Sequence, residues 1–314
     1  MTTLRLGTRG SALAMAQSGL MAASLEARHP SLKVEIVQIR TFGDRIQDVP
    51  LEPHLGQAFF TKEIEDALLE GRVDLAVHSC KDLATTLPEG LVLGAIPDRE
   101  DVRDALVSGA AGLADLPVGA RVGTSSIRRK LFLRAARPDL DLVDLRGNVP
   151  TRVGAVDEGR CEAVILAVAG LRRLGLGHRV AEALDPDVML PAASQGALAL
   201  EIRASDEVAR SLVCVLDDVA ARAEVTAERA CLRRLEAGCQ APVGALGRFR
   251  DGGLHFRAAV AGPEGIVRTG ITGDAEGAEE VGVRAAEALL GQLGVPSLRG
   301  AEWAGAPPRR LGGR

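Results

Sequence analysis

Residues 74–82, which read Asp-Leu-Ala-Val-His-Ser-Cys-Lys-Asp, contain the pattern that decides the fold. The run 74–79 is short and apolar, as expected of a buried strand, and it leads directly into Lys81 and Asp82. A helical pattern at 61–69 precedes this strand and is stopped by a glycine. Helices that alternate with buried strands form βαβ units, so this stretch predicts a mostly parallel sheet.

The same alternation runs through the first two-thirds of the chain, and we therefore expect an α/β fold. Further strands are predicted at residues 4–8, 33–40, 121–123, 140–145, 161–169 and 197–203, and further helices at 12–20, 125–137 and 150–158. Residues 42–58 contain two glycines and two prolines without a periodic pattern, so they are predicted to form a long mobile loop.

Two crossings divide this α/β part into lobes. Residues 97–104 are charged and extended, and the strand at 197–203 can return to the first sheet. We predict two α/β lobes with mostly parallel sheets around a cleft. Domain 1 would comprise residues 1–98 and 195–216, and domain 2 residues 102–191.

The character of the sequence changes near residue 219. A long amphipathic helix at 220–236 is followed by three strand-like segments and a last helix at 275–293. This pattern predicts a small α+β domain 3 over residues 219–295. The tail 296–314 is rich in Gly, Arg and Pro and is predicted to be disordered.

Composition excludes several classes of protein. Of 314 residues, 46% are hydrophobic and 25% charged, which is typical of a folded globular protein. No stretch reaches the roughly 20 apolar residues of a membrane span, and arginines stand where a signal peptide has its apolar run. The net charge of −4 disfavours a broad nucleic-acid surface. We expect a cytoplasmic protein that binds neither nucleic acid nor membrane.

The five cysteines are odd in number and form no Cys-x-x-Cys pair, which argues against both a disulfide framework and a metal site. Cys161, Cys214 and Cys231 lie on strand or helix patterns and are predicted to be small core residues. Cys239 differs because it lies in a loop, bounded by Gly and Pro, between a helix and a strand. A thiol in such a loop is predicted to be exposed rather than packed in a core. It is therefore a candidate for a reactive or modified role, with an ordinary loop residue as the alternative.

Candidate binding residues follow the predicted strands, where parallel sheets bind their ligands. Residues 123–129, Gly-Thr-Ser-Ser-Ile-Arg-Arg, place hydroxyls, backbone N–H groups and two guanidinium groups at the start of a helix, a combination that suits an anion. The alternative is a Ser-capped helix whose arginines are solvated. The candidates here are Thr124, Ser125, Ser126, Arg128 and Arg129.

Arginines follow other strands in the same way, and only four of the 38 basic residues are lysine. These further candidates are Arg9 with Ser11, Arg146, Arg152 and Arg173. Each alone is equally a surface charge, but together they suggest a cleft for a polyanion, either a carboxylate or a phosphate. No Walker loop is present and no Gly-x-Gly-x-x-Gly follows a strand, so a nucleotide is disfavoured.

Asp82 is an acid among these cations. It either pairs with a neighbour such as Lys81, as a salt bridge at the end of a strand, or acts on a substrate that is cationic or bears N–H groups. His78, within the apolar strand, is predicted to be a core histidine whose hydrogen bonds are satisfied.

Seven ordered motifs between residues 4 and 245 resemble those of the porphobilinogen deaminase family, also called hydroxymethylbilane synthases, and the resemblance covers essentially residues 4–295. They are LRLGTRGSALA (4–14), FTKEIEDALLEGRVDLAVHSCKD (60–82), VGTSSIRRK (122–130), LRGNVPTR (145–152), AVILAVAGLRRLG (163–175), QGALALE (195–201) and VTAERACLRRLEAGCQAPVGA (225–245). Their number and order make the resemblance far more specific than any single motif.

The resemblance implies three α/β domains, of which the first two are similar to the lobes of periplasmic binding proteins. It implies one dipyrromethane cofactor per chain, held by a thioether to Cys239. It also implies a transferase of tetrapyrrole biosynthesis that acts as a monomer. Such an enzyme deaminates four porphobilinogen molecules, joins them head to tail on the cofactor, and releases 1-hydroxymethylbilane and ammonia.

The resemblance also implies roles for individual residues, with Asp82 as the catalytic carboxylate. The cofactor-binding residues would be Lys81, Thr124, Ser125, Ser126, Arg128, Arg129 and Arg146, and the substrate-binding residues Arg9, Ser11, Phe60, Arg152 and Arg173.

The sequence departs from the family pattern in places. Residues 51–58 contain no lysine where relatives have one or two, and Gln57 stands where a lysine is common. Ala84 and Ser194 replace the more usual Pro and Gly. Two alternatives are kept: a two-lobed anion-binding protein without catalysis, and a weakly active paralogue, which the changes in the segment 51–58 motivate.

Overall fold

The computed structural model describes residues 2–41, 61–237, 241–262 and 265–300. Its strands are β1 (Thr2–Thr8), β2 (Leu32–Gln38), β3 (Leu75–Ser79), β4 (Leu91–Ala95), β5 (Asp104–Ser108), β6 (Arg121–Gly123), β7 (Asp141–Val143), β8 (Ala163–Ala167), β9 (Glu182–Ala183), β10 (Leu198–Arg203), β11 (Val243–Arg250), β12 (Gly253–Gly262) and β13 (Gly265–Gly273). Its helices are α1 (Ala12–Arg28), α2 (Lys62–Leu69), α3 (Ile127–Ala136), α4 (Val149–Asp157), α5 (Val168–Arg173), α6 (Glu207–Val213), α7 (Val219–Leu235) and α8 (Ala278–Leu293).

The chain divides into two compact units, of which the first comprises Met1–Glu100 and Gly196–Ala223. Its sheet has the strand order β2-β1-β3-β10-β4, and β10 runs antiparallel to both of its neighbours while β1, β2 and β3 are parallel. The strand at 198–203 therefore returns to the first sheet, as the sequence predicts. Helix α1 covers one face with a core that includes Leu6, Leu25 and Leu200, and α2 covers the other.

The second unit comprises Asp101–Gln195 and Glu224–Arg314. It contains a sheet of order β7-β6-β8-β5-β9, in which β6, β7 and β8 are parallel and β5 is antiparallel. It also contains the antiparallel sheet β11-β12-β13, against which α8 packs. One apolar cluster joins the two sheets, since Leu106 and Phe132 belong to the same core as Leu246 and Ala259.

The α/β fold class is confirmed, together with a third, antiparallel sheet. The two five-stranded sheets are mixed, each with two parallel and two antiparallel pairings, so the prediction of mostly parallel sheets is wrong in this detail. The boundaries of the three predicted domains stay a prediction. Leu298, in the predicted tail, is buried and donates its N–H to the carbonyl oxygen of Leu235 at 2.8 Å, whereas 301–314 lie outside the described residues. Within the described part of the chain, no helix combines the length and the apolar character needed to cross a membrane.

Short polar side chains begin three helices that follow strands in the two units. Ser11 caps α1 by accepting the N–H of Ala14 at 3.3 Å, and Ser126 caps α3 by accepting the N–H of Arg129 at 3.4 Å. Asn148 caps α4 by accepting the N–H of Thr151 at 2.9 Å. Each cap satisfies one of the N–H groups that a helix leaves unpaired at its start, so the helices begin directly after the strands.

Candidate active site

The first unit brings two of the predicted segments to one edge of its sheet. Strands β1 and β3 are parallel neighbours, with Leu6 opposite Leu75 and Gly7 opposite Ala76. Because parallel strands end at the same edge, Arg9 and Ser11, which follow β1, share that edge with Lys81 and Asp82, which follow β3. This is the arrangement that the sequence predicts for a ligand site.

Asp82 lies in a single helical turn, Cys80–Asp82, whose backbone is fixed at both ends. The N–H of Cys80 donates to Ala197 at 3.0 Å, and the N–H of Leu83 donates to Cys80 at 3.2 Å. The carboxyl of Asp82 is exposed and Lys81 is half-buried. A carboxylate on a short fixed turn is displayed to a ligand without the freedom of a long loop.

The turn after β6 is the core of the predicted anion site in the second unit. The N–H of Thr124 donates to Val143 at 2.9 Å, and the hydroxyl of Ser125 donates to the carbonyl oxygen of Leu145 at 2.7 Å. A Cβ on Gly123 would lie 2.8 Å from Cδ2 and 3.1 Å from Cβ of Leu145, so a larger residue would force the Leu145 side chain to shift.

Arg128 and Arg129 are buried, which contradicts the alternative of solvated arginines. Both point at the carboxylate of Asp104, whose side chain is 0% exposed. Nη2 of Arg128 donates to Oδ2 at 2.7 Å, and Nε and Nη2 of Arg129 donate to Oδ1 at 3.0 and 2.7 Å. Two guanidinium groups and one carboxylate leave one formal positive charge, which suits an anionic ligand.

Backbone carbonyls and an amide complete this buried cluster. Arg128 donates to the carbonyl oxygen of Leu190 at 2.6 Å, and Arg129 to that of Ile165 at 2.9 Å. Gln195 donates to Asp104 at 3.1 Å. Burial lowers the pKa of the Arg128 guanidinium, an effect that the charge of Asp104 opposes. Some of the N–H groups of the two arginines thus bind within the protein. These bonds hold the two guanidinium groups in a fixed orientation.

Two members of this cluster, Asp104 and Gln195, are not among the site residues that the sequence predicts. In the sequence, Asp104 ends the charged segment 97–104 and does not stand out from its charged neighbours. Gln195 is simply the first residue of the motif 195–201. The signal in the sequence is the short apolar run at 105–107, which predicts a strand and follows Asp104 directly; in the structure this is β5.

The other candidate arginines of the second unit are more exposed than Arg128 and Arg129. Arg146 is exposed, Arg152 is half-buried on α4, and Arg173 is half-buried at the end of α5. Gly147, after Arg146, has φ of +112°, a conformation that favours glycine. Phe60, Cys239 and the predicted loop 42–58, which includes the lysine-free segment 51–58, lie outside the described residues.

Two family models match the chain in succession. Residues 4–211 match "Porphobilinogen deaminase, dipyromethane cofactor binding domain" and residues 222–291 match "Porphobilinogen deaminase, C-terminal domain". The chain belongs to the porphobilinogen deaminase family. The resemblance on which the sequence analysis drew is thereby confirmed.

Similar members of the porphobilinogen deaminase family come from several bacteria. The chain is 48% identical to a porphobilinogen deaminase from Pelobacter propionicus over 293 residues, which cover 93% of this chain and 94% of the relative. It is 49% identical to one from Syntrophobacter fumaroxidans over 282 residues, 89% of this chain and 91% of the relative. It is 48% identical to one from Roseiflexus sp. over 300 residues, 95% of this chain and 99% of the relative.

Solved structures that resemble the chain include a substrate binding domain of a putative molybdenum ABC transporter from Clostridium difficile. That match has a TM-score of 0.47 and 13% identity, and it covers 69% of this chain and 93% of the other. The methionine binding protein MetQ matches with a TM-score of 0.42 and 12% identity, over 68% of this chain and 89% of the other.

The described residues fit the dipyrromethane group for which the family's first domain is named. Such a group carries carboxylate side chains and pyrrole N–H groups. In the second unit, the surplus positive charge of the cluster formed by Arg128, Arg129 and Asp104 suits carboxylates. In the first unit, the displayed acid Asp82 suits N–H groups. Of the described residues, no three among His, Cys, Asp and Glu form a group that could hold a metal ion.

Four cysteines fall within the described residues, and all four are free thiols. Cys161 and Cys231 are buried, and burial raises the pKa of both, that of Cys231 to about 12. Cys214 is exposed, so its predicted place in the core is wrong. It lies in the short turn Cys214–Leu216 at the end of α6, where the side chain faces outward. The buried thiols of Cys161 and Cys231 are unsuited to act as nucleophiles at neutral pH.

Proposed function

We propose that this chain is a hydroxymethylbilane synthase, a transferase that condenses four porphobilinogen molecules and releases 1-hydroxymethylbilane and ammonia. The observation that carries the proposal is the exposed carboxylate of Asp82, held on a fixed turn at the edge of the sheet where Arg9 and Ser11 also lie. Family membership over residues 4–211 and 222–291 supports it.

In this proposal Asp82 manages positive charge and protons. Loss of ammonia from porphobilinogen leaves a cationic azafulvene, which a fixed carboxylate stabilises electrostatically; removal of one preorganised group aimed at developing charge typically costs about 3–4 kcal/mol. The same carboxylate accepts hydrogen bonds from pyrrole N–H groups. It is also placed to take up the proton that the pyrrole carbon releases when the new carbon–carbon bond forms.

The arginines bind and orient the acidic side chains. Each substrate brings an acetate and a propionate, which planar guanidinium groups bind in a bidentate manner. We assign Arg128, Arg129, Arg146 and Lys81 to the cofactor, with the hydroxyls of the turn Thr124–Ser126, and Arg9, Ser11, Phe60, Arg152 and Arg173 to substrate. When bound through Cys239, dipyrromethane supplies the pyrrole carbon to which the first substrate is joined. We further propose a cytoplasmic monomer.

The test is ammonia and bilane release by the purified full-length chain supplied with porphobilinogen. Asp82→Asn is expected to lower turnover by about 100-fold or more, because it removes the charge that stabilises the cation. Glu89→Gln is the matched control, since Glu89 is an exposed acid in the same connection between β3 and β4. Near-normal turnover by Asp82→Asn would contradict the assignment.

The two alternatives give other results in the same assay. Binding of porphobilinogen without ammonia release would indicate an anion-binding protein. Slow release that leaves the chain with its cofactor would indicate the weakly active paralogue that the lysine-free segment 51–58 raises as an alternative.

A further inference from the structure

Three buried ionisable side chains lie in the layer between α2 and the first unit's sheet, on elements that pack against one another. Glu65 lies on α2, His78 on β3 and Glu201 on β10. The side chains of His78 and Glu201 share one face, because Ala199 is opposite His78 and Glu201 is two residues farther along β10. Around them, this face is apolar, with Ile64, Leu68 and Ala76 in its core.

All three side chains are almost completely buried. Glu65 is 4% exposed, His78 6% and Glu201 0%. Nε2 of His78 lies 3.0 Å from Oε2 of Glu201, an ion-pair distance. Neither atom forms an aligned hydrogen bond with the described residues, and the same is true of Oε1 of Glu65 and Oε1 of Glu201.

The cluster has an excess of acid. Among the described residues, the imidazole of His78 is the basic group paired with Glu201. Arg203, the next residue of β10 on this face, donates to the carbonyl oxygens of Leu68 and Val73 and pairs with Asp74 and Asp206, so its charge is already matched outside the cluster. With both carboxylates ionised, the buried cluster would be negative even with His78 protonated. An uncompensated buried charge is unstable enough that such a group takes up a proton instead.

We propose that Glu65, His78 and Glu201 form a buried proton-holding cluster, in which Glu65 carries the extra proton, and that this cluster positions the turn bearing Lys81 and Asp82. His78 is separated from that turn only by Ser79. The pairing of β3 with β10 that the cluster spans continues into the turn, where Cys80 donates to Ala197. Repulsion between Glu65 and Glu201 would act directly on this junction.

The surroundings of Glu65 agree with this assignment. Burial raises the pKa of its carboxyl, and the negative charges of Glu201 and Asp66 raise it further. The Thr61 hydroxyl and the charge of His78 lower it, but the net effect is a raised pKa. A raised folded-state pKa means that Glu65 contributes stability that is complete below its unfolded pKa of about 4.3. That contribution is lost as the pH rises through the folded value.

The experiment compares the same substitution at two members of the cluster. Thermal unfolding of the full-length holoprotein is followed at pH 5 and pH 8 for wild type, Glu65→Gln and Glu201→Gln. Glutamine mimics the protonated Glu65, so the midpoint of Glu65→Gln is expected to gain at least about 2 °C on wild type between pH 5 and pH 8. Glu201→Gln leaves His78 without its partner and is expected to be less stable at both pH values, or not to fold.

A constant difference between Glu65→Gln and wild type at the two pH values would overturn the proton assignment. So would a Glu201→Gln variant as stable as wild type. Both outcomes are measured by thermal unfolding, which needs no enzymatic activity. A failure of the proton assignment is therefore distinguishable from a failure of the proposed function.

The positioning role rests on the proposed function and is read from turnover against pH. Glu65→Gln is expected to keep its kcat into the alkaline range where that of wild type falls. Superimposable pH profiles in an active enzyme would overturn the positioning role.

Discussion

Asp104→Asn removes the carboxylate that pairs with both Arg128 and Arg129. The change is nearly isosteric, so its effect is electrostatic. Asp104 is 0% exposed, and the two guanidinium side chains are 5% and 8% exposed, so water cannot replace the lost charge. Removing one partner of such a buried ion pair lowers the free energy of unfolding by about 3–5 kcal/mol.

A matched control lies three residues earlier. Asp101 pairs with Arg103 at 2.7 Å; its own side chain is 12% exposed, but that of Arg103 is 41% exposed. Pairs that water reaches contribute about 0–1 kcal/mol, so Asp101→Asn is expected to cost clearly less than Asp104→Asn, about 1 kcal/mol.

Denaturant unfolding of both variants checks this difference. The midpoint of Asp104→Asn is expected to fall well below that of Asp101→Asn while the slope stays that of wild type, which indicates an unchanged unfolded state. Equal losses for the two variants would refute the reasoning. They would show that the buried pair contributes no more than the half-exposed one.

Three further predictions concern backbone strain, close packing and thiol chemistry. Ser194 has φ of +62°, so Ser194→Gly is expected to keep or raise stability by up to about 1 kcal/mol, and Ser194→Val to lower it by about 2 kcal/mol, in equilibrium unfolding. Gly123→Ala is expected to cost about 1–3 kcal/mol because its Cβ meets a leucine side chain, whereas Gly109→Ala, with nothing within 4 Å, is neutral; similar losses would contradict this. A maleimide is expected to label Cys214 in the native chain before Cys231, as mapped by peptide mass, and the reverse order would contradict the burial of Cys231.

Elements with local signals could be predicted from the sequence. Ser11 and Ser126 cap helices where the sequence places helix starts, and the apolar runs at β3 and β10 form buried strands. The segment predicted as one strand, 161–169, is instead β8 followed by α5 from Val168. Its apolar residues continue without a break, so periodicity alone does not mark the change.

Elements that depend on distant partners could not be predicted. Strand β9 has two residues, Glu182–Ala183, and exists because β5 pairs with it. Asp104 contacts arginines 24 and 25 residues away and Gln195 91 residues away. Nothing local marks such an acid as the partner of the motif's arginines. The turn that carries Asp82 was predictable because strand and carboxylate are adjacent in sequence.

The intact mass of the freshly purified chain tests the central claim most directly. The account predicts an addition equal to two linked pyrrole units, located on Cys239 by peptide mass, absent in Cys239→Ser and present in Cys214→Ser, whose thiol is exposed. A bare thiol at position 239, even after incubation with porphobilinogen, would contradict it.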